Sequence, residues 1–195
     1  MHTIDLKNKG YRTDLVIDEI TREKDTKLSS KILEKTKNVT VEEVIIDEKT
    51  NCNKKKGIYE TISFTDITDK NNFKEVEELA IKTLKNMLNK LNISSNAKIL
   101  VVGLGNASST PDALGPKTLD HVLVTRHLFL LGDVEEGYRN VASFKPSVTG
   151  VTGIETKDLI EGIKEKIKPD ILIVIDALAS SSIERLNKTI QITSA

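Results

Sequence analysis

The chain has 195 residues, 38% of them apolar, enough to bury the core of one domain with at most a small appendage. Lys plus Arg and Asp plus Glu number 29 each, so net charge gives no pull toward nucleic acid or an anionic membrane. No run reaches the roughly eighteen apolar residues of a membrane helix, the first residues lack a signal peptide's apolar stretch, and the lone Cys52 has no partner for an internal disulfide; these features suit a reducing, cytosolic setting.

In chain order, residues 1–13 are polar and without period, and read as a mobile leader. Asp14 to Ile17 fits a short strand. Residues 21–38 are Lys-rich and poorly patterned, a loop or short helix. Val39 to Ile46 reads as a strand. So does Ile58 to Phe64, where Ile58, Glu60, Ile62 and Phe64 alternate with Tyr59, Thr61 and Ser63. Between them, residues 47–57 have turn composition, which predicts an antiparallel hairpin with the lysines 54–56 at a solvated tip.

Residues 70–92 carry apolar side chains three or four apart (Phe73, Val76, Leu79, Ala80, Leu84, Met87, Leu88, Leu91), which predicts an amphipathic helix. From there the chain alternates. Strands are expected at 99–102, 141–144, 171–175 and 189–192. Helices are expected at about 116–123, at 157–167 with Thr156 as N-cap, and in a short piece through Leu186, with a loop at 146–153. The pattern predicts an α/β fold, a mostly parallel sheet sandwiched by helices, with the N-terminal hairpin as an antiparallel edge or flap.

Two stretches carry candidate chemistry. Ile99 to Val102 is an uninterrupted, β-branched apolar run of the kind buried on both faces of a parallel sheet. Gly103 and Gly105 end it, a polar loop containing Asn106 follows, and Asp112 comes just after Pro111. Ile171 to Ile175 repeats the pattern and ends in Asp176. Ligands of open α/β sheets bind at the carboxyl ends of strands, so two aspartates there fit an acid/base pair that activates water for peptide hydrolysis. The same residues also fit plain turn or helix caps.

Gly103-Leu-Gly105-Asn-Ala-Ser108 is a broken dinucleotide fingerprint, with Ser in the third Gly place. A tight turn lining a cleft suits it better, its N–H groups facing an oxyanion. His121 and His127 are six apart, the wrong spacing for a zinc pair on one helix face. Ser180 to Ser182 lack a nucleophile elbow and read as turn or cap residues. Arg126, Arg139 and Glu155 each fit either a cleft-lining or a structural role.

Several strings in one order, VVGLGN-x4-TPDALGP (101–116), VTRHL (124–128), TGIET (152–156), IDALA (175–179) and TIQI (189–192), resemble the spore germination protease family. The resemblance implies an endopeptidase zymogen that degrades small acid-soluble spore proteins, with a fold similar to the hydrogenase maturation proteases. It maps the family's two aspartates onto Asp112 and Asp176, and a propeptide cleavage onto Asp14 and Leu15, giving a leader of residues 1–14 and a protease domain of 15–195. Gly103, Gly105, Asn106, Arg126, His127 and Glu155 are the candidate cleft lining.

The family's older description as a metalloprotease leaves a metal open, although the motifs call for no cofactor. The expected partners are the spore proteins and further copies of the chain, as a homotetramer, in the cytoplasm of the forespore or spore core, with no membrane or direct nucleic-acid contact. Three departures stand out: Ser147 occupies a place where the family has Gly, three serines follow IDALA with no basic residue before Arg185 where the family has one soon after that string, and the family pattern continues beyond TIQI, so the chain is C-terminally truncated relative to it. The competing expectations are an inactive peptide-binding fragment of the family and a nucleotide-binding α/β module.

Overall fold

A computed structural model describes residues 13–18, 29–48, 50 and 54–195. Its elements are β1 (Lys31–Lys35), β2 (Val39–Ile46), β3 (Gly57–Phe64), α1 (Lys70–Lys90), β4 (Lys98–Gly103), α2 (Leu114–Leu119), α3 (Arg126–Leu131), β5 (Asn140–Phe144), α4 (Thr149–Thr152), α5 (Thr156–Ile167), β6 (Ile171–Ile175) and β7 (Thr189–Thr193). They fall into two compact units. One joins the chain up to Asn92 with Leu178–Ala195, and the other is Ile93–Ala177.

In the first unit the predicted hairpin is present, with Val39 paired to Phe64 and Ile46 to Gly57. It belongs to a four-stranded antiparallel sheet of its own, ordered β1-β2-β3-β7, rather than to the edge of the parallel sheet. β1 was not expected, because its pattern KILEK is largely exposed and carries no clean alternation. Val39, Val41, Ile62 and Phe64 pack on Val76 and Leu79 of α1.

α1 starts where Asp69 accepts hydrogen bonds from the N–H groups of Asn71 and Asn72, an N-cap. Its buried stripe is Val76, Leu79, Thr83 and Met87, narrower than the sequence suggested; Phe73, Leu84 and Leu91 remain exposed. On the opposite face of the sheet, Val16 packs with Val44, Ile46 and Tyr59. Residues 16–18 form a helical turn there, not a strand. Leu15 and Val16 are fully buried. Residues 1–12 of the predicted leader, and Cys52, lie outside the described residues.

In the second unit three parallel strands run in the order β5-β4-β6. β4 is central and buried along Ile99–Gly103. A fully buried Leu or Val such as Leu100 or Val102 contributes roughly 1.5–3 kcal/mol of transfer free energy. One face (Ile99, Val101) is covered by Leu119 of α2, and the other (Leu100, Val102, Ala142) by Ile160, Ile163 and Ile167 of α5. β6 departs from the expectation of burial on both faces: α5 leaves Leu172 and Val174 exposed on this edge strand.

The chain leaves β4 for β5 on one side and returns to β6 on the other. The carboxyl ends of β4 and β6 are therefore the point where strand order reverses, the place where open α/β sheets hold ligands.

Candidate active site

β4 and β6 pair in register from Ile99–Ile171 to Gly103–Ile175. Beyond the last pair, the Leu104 N–H donates to the Ile175 carbonyl at 2.8 Å. Asp176 follows immediately, and its carboxylate accepts from the Ala177 N–H at 2.8 Å.

After β4 the loop turns back on itself. The Asn106 N–H donates to the Asp112 carboxylate at 2.8 Å and to its carbonyl at 3.1 Å, while Asp112 N–H donates to Ser109. This brings Asp112, half-buried, over Gly105, so both aspartates lie at the carboxyl edge of neighbouring strands.

Three glycines make the approach possible. A Cβ on Gly103 would lie 2.4 Å from the Gly115 carbonyl oxygen, and one on Gly115 would lie 2.5 Å from the Ile175 carbonyl oxygen. Gly105 has φ +106°, and its Cβ would meet the Asp112 carbonyl oxygen at 2.0 Å. The first turn of α2 thus rests directly on the ends of β4 and β6.

Residues 12–195 match the family described as germination protease. The chain belongs to the germination protease family. It is 41% identical to a germination protease of Priestia megaterium and 43% identical to one of Bacillus mycoides, each over 97% of this chain and 56% and 55% of the relative. A germination protease of Geobacillus sp. is 52% identical over 72% of this chain and 39% of its own length. The chain spans about half the length of the curated relatives it matches.

The remaining candidates divide by sheet edge. Gly103, Gly105 and Asn106 stand at the carboxyl edge with Asp112. Glu155 is exposed at the N-cap of α5, on the connection from β5, without a side-chain capping bond; Thr156, expected as the cap, instead donates to Ser147.

Arg126 and His127 open α3 at the other end of the sheet. Their neighbour Thr125 bonds to Arg139 and Val141 at the start of β5, and Arg139 itself donates to the Ser94 carbonyl. The structure does not bring these residues to the edge that carries Asp112.

The N–H groups of Leu104, Asn106, Ser108 and Ser109 are all donated within the unit, which leaves them occupied rather than aimed at an oxyanion or a phosphate. Asp120 pairs with Lys145, which holds its carboxyl below the usual range. Among the described residues no three His, Cys, Asp or Glu side chains group as a metal site. No helix among them is long and apolar enough to cross a membrane.

In the first unit, Asp14 and Leu15 do not sit in a loose leader. Asp14 N–H donates to the Ala179 carbonyl at 2.8 Å, and the Ala179 N–H donates to the Asp14 carboxylate at 3.1 Å. Gln191 donates to the Asp14 carbonyl and accepts from the Val16 N–H. Lys54, expected at a solvated tip, donates to the Thr13 carbonyl at 2.9 Å.

Sequence reading missed the hub of this arrangement. Asp18 is almost fully buried, ion-paired with Arg185, and accepts from the hydroxyls of Thr13, Ser180 and Ser181. Burial works to raise its pKa, but the bonds from Thr13 and Arg185 outweigh it and hold the carboxyl below its ordinary value. Apart from Thr13, the partners Ser180, Ser181 and Arg185 lie more than 160 residues away along the chain, so only the charged end of an apolar stretch, Leu15–Ile17, hinted at it.

Proposed function

We propose that this chain carries the catalytic aspartates of an endopeptidase that degrades small acid-soluble spore proteins during germination. The observation that supports it most is the pair Asp112 and Asp176 at the carboxyl ends of adjacent strands, at the switch point of the sheet, in a chain of the germination protease family. The two carboxyl groups share one proton: the ionised aspartate takes a proton from water as it attacks the peptide carbonyl, and the protonated one delivers its proton to the departing amine. The Asn106 N–H fixes the Asp112 carboxylate in place for this work.

The protein is made as a zymogen in the cytoplasm of the forespore, acts as a homo-oligomer, and processes itself between Asp14 and Leu15. The buried Leu15 and the bonds to Ala179 and Gln191 mean that the segment must lift locally before that peptide bond is cut. The test is cleavage of a purified small acid-soluble spore protein by the chain extended to its relatives' full length. Specific fragments support the reading. No cleavage above background by a folded, processed protein rejects it.

A further inference from the structure

The Leu15 N–H donates to the Thr13 hydroxyl at 3.3 Å, and that hydroxyl donates to the Asp18 carboxylate at 2.5 Å. One oxygen atom therefore separates the Leu15 nitrogen from a nearly buried carboxylate, and that oxygen belongs to the segment that processing removes. Residues 15–18 stay with the mature chain and are buried, Val16 against Val44, Ile46 and Tyr59.

We propose that Asp18 is the binding site for the new Leu15 α-ammonium group once residues 1–14 have left. The inference rests on the cleavage between Asp14 and Leu15. Hydrolysis adds water across that bond: the hydroxyl goes to the Asp14 carbonyl carbon, and the Leu15 nitrogen takes the other proton of the water and the one the new carboxyl group releases, leaving a carboxylate and –NH3+. The departing Thr13 takes its hydroxyl away from Asp18, and the ammonium moves into that place. A hydrogen bond from a neutral donor is thereby replaced by one from a cation in a site of low exposure.

Among the described residues the charged groups in this arrangement are Arg185, already paired with Asp18, Lys54, which donates to the Thr13 carbonyl, and Asp14, whose carboxylate leaves with the leader. Water in the vacated place would supply a donor but no positive charge, so the ammonium is the stronger partner for a buried carboxylate. The new terminus thus locks residues 15–18 onto the turn at Ser180–Arg185 after cleavage, which distinguishes the processed chain from its precursor.

The test compares two chains released from a cleavable fusion. One begins at Leu15 and the other carries one extra glycine before Leu15; both are otherwise complete. The reactivity of the α-amine toward an acylating reagent is followed against pH, together with thermal unfolding. In the Leu15 chain the amine should titrate about one unit above its ordinary ~7.7–8.0 and react about tenfold more slowly near neutral pH. The Leu15 chain should also melt higher below that range, and the advantage should fade as pH rises through the raised value.

The difference should vanish in an Asp18→Asn background. Equal amine reactivity in the two chains overturns the proposal, and this arm needs no Asp18 variant to fold. A melting difference that survives Asp18→Asn overturns it too. N-terminal sequencing of the self-processed protein tests the cleavage position separately: a terminus other than Leu15 overturns the processing step, whatever the two-chain comparison shows.

Discussion

Gly105 sits directly against Asp112: a Cβ at residue 105 would lie 2.0 Å from the Asp112 carbonyl oxygen and 2.9 Å from its carboxylate. The loop that presents the aspartate closes only because this residue has no side chain. Gly105→Ala should therefore cost more than about 2 kcal/mol, from the clash and from the strained φ together. Denaturant unfolding checks this, and a change within about 0.5 kcal/mol would show that the loop does not pack as described.

Ser147 has φ +63°, a left-handed conformation that favours glycine. The serine accepts strain that glycine would not, offset in part by glycine's greater freedom in the unfolded chain. Ser147→Gly should stabilise the protein by about 0.5–1 kcal/mol, read as a rise of roughly 2–4 °C in Tm. A lower Tm contradicts it.

The strands and long helix were legible because their signals are local. Ile99–Val102 is apolar throughout and central in its sheet, and α1 carries its period over 21 residues. β1 and α3 were missed because their apolar residues stay exposed, so neither burial nor period marks them; Leu130 and Leu131 in α3 face solvent. Asp112 and Asp176 were visible as carboxylates ending apolar runs. Their adjacency depends on the order β5-β4-β6, which no local pattern encodes. The Asp18 hub is non-local for the same reason.

Glu60 is another carboxylate that the chain buries. Its side chain is 2% exposed and pairs with Lys90, which also reaches Glu43. Burial works to lower the Lys90 pKa, but the hydrogen bonds that Lys90 donates to Glu43 and Glu60 outweigh it and raise it. Lys90→Met leaves Glu60 buried without its cation and should cost about 2–3 kcal/mol, while the double variant Glu60→Leu, Lys90→Met should recover most of that loss. Equal stabilities for the single and double variants would contradict the pairing.

Asp18 gives a pH signature. Its folded carboxyl titrates below the ordinary value of 3.8, so its contribution is complete above that value and is lost as pH falls through the depressed one. The intact chain should lose stability steeply below about pH 4, and Asp18→Asn should flatten that slope while lowering stability at neutral pH. Parallel acid-unfolding curves for the two proteins would remove Asp18 from the account.

The pairing of Asp112 with Asp176 as the water-activating couple is tested most directly by turnover. Asp112→Asn and Asp176→Asn, made separately in the chain extended to its relatives' full length, should each reduce kcat on a small acid-soluble spore protein by at least about 100-fold. Asparagine keeps the shape but neither takes up nor delivers the proton, so folding and Tm should change little. Near-normal turnover in either folded variant would contradict the two-aspartate mechanism.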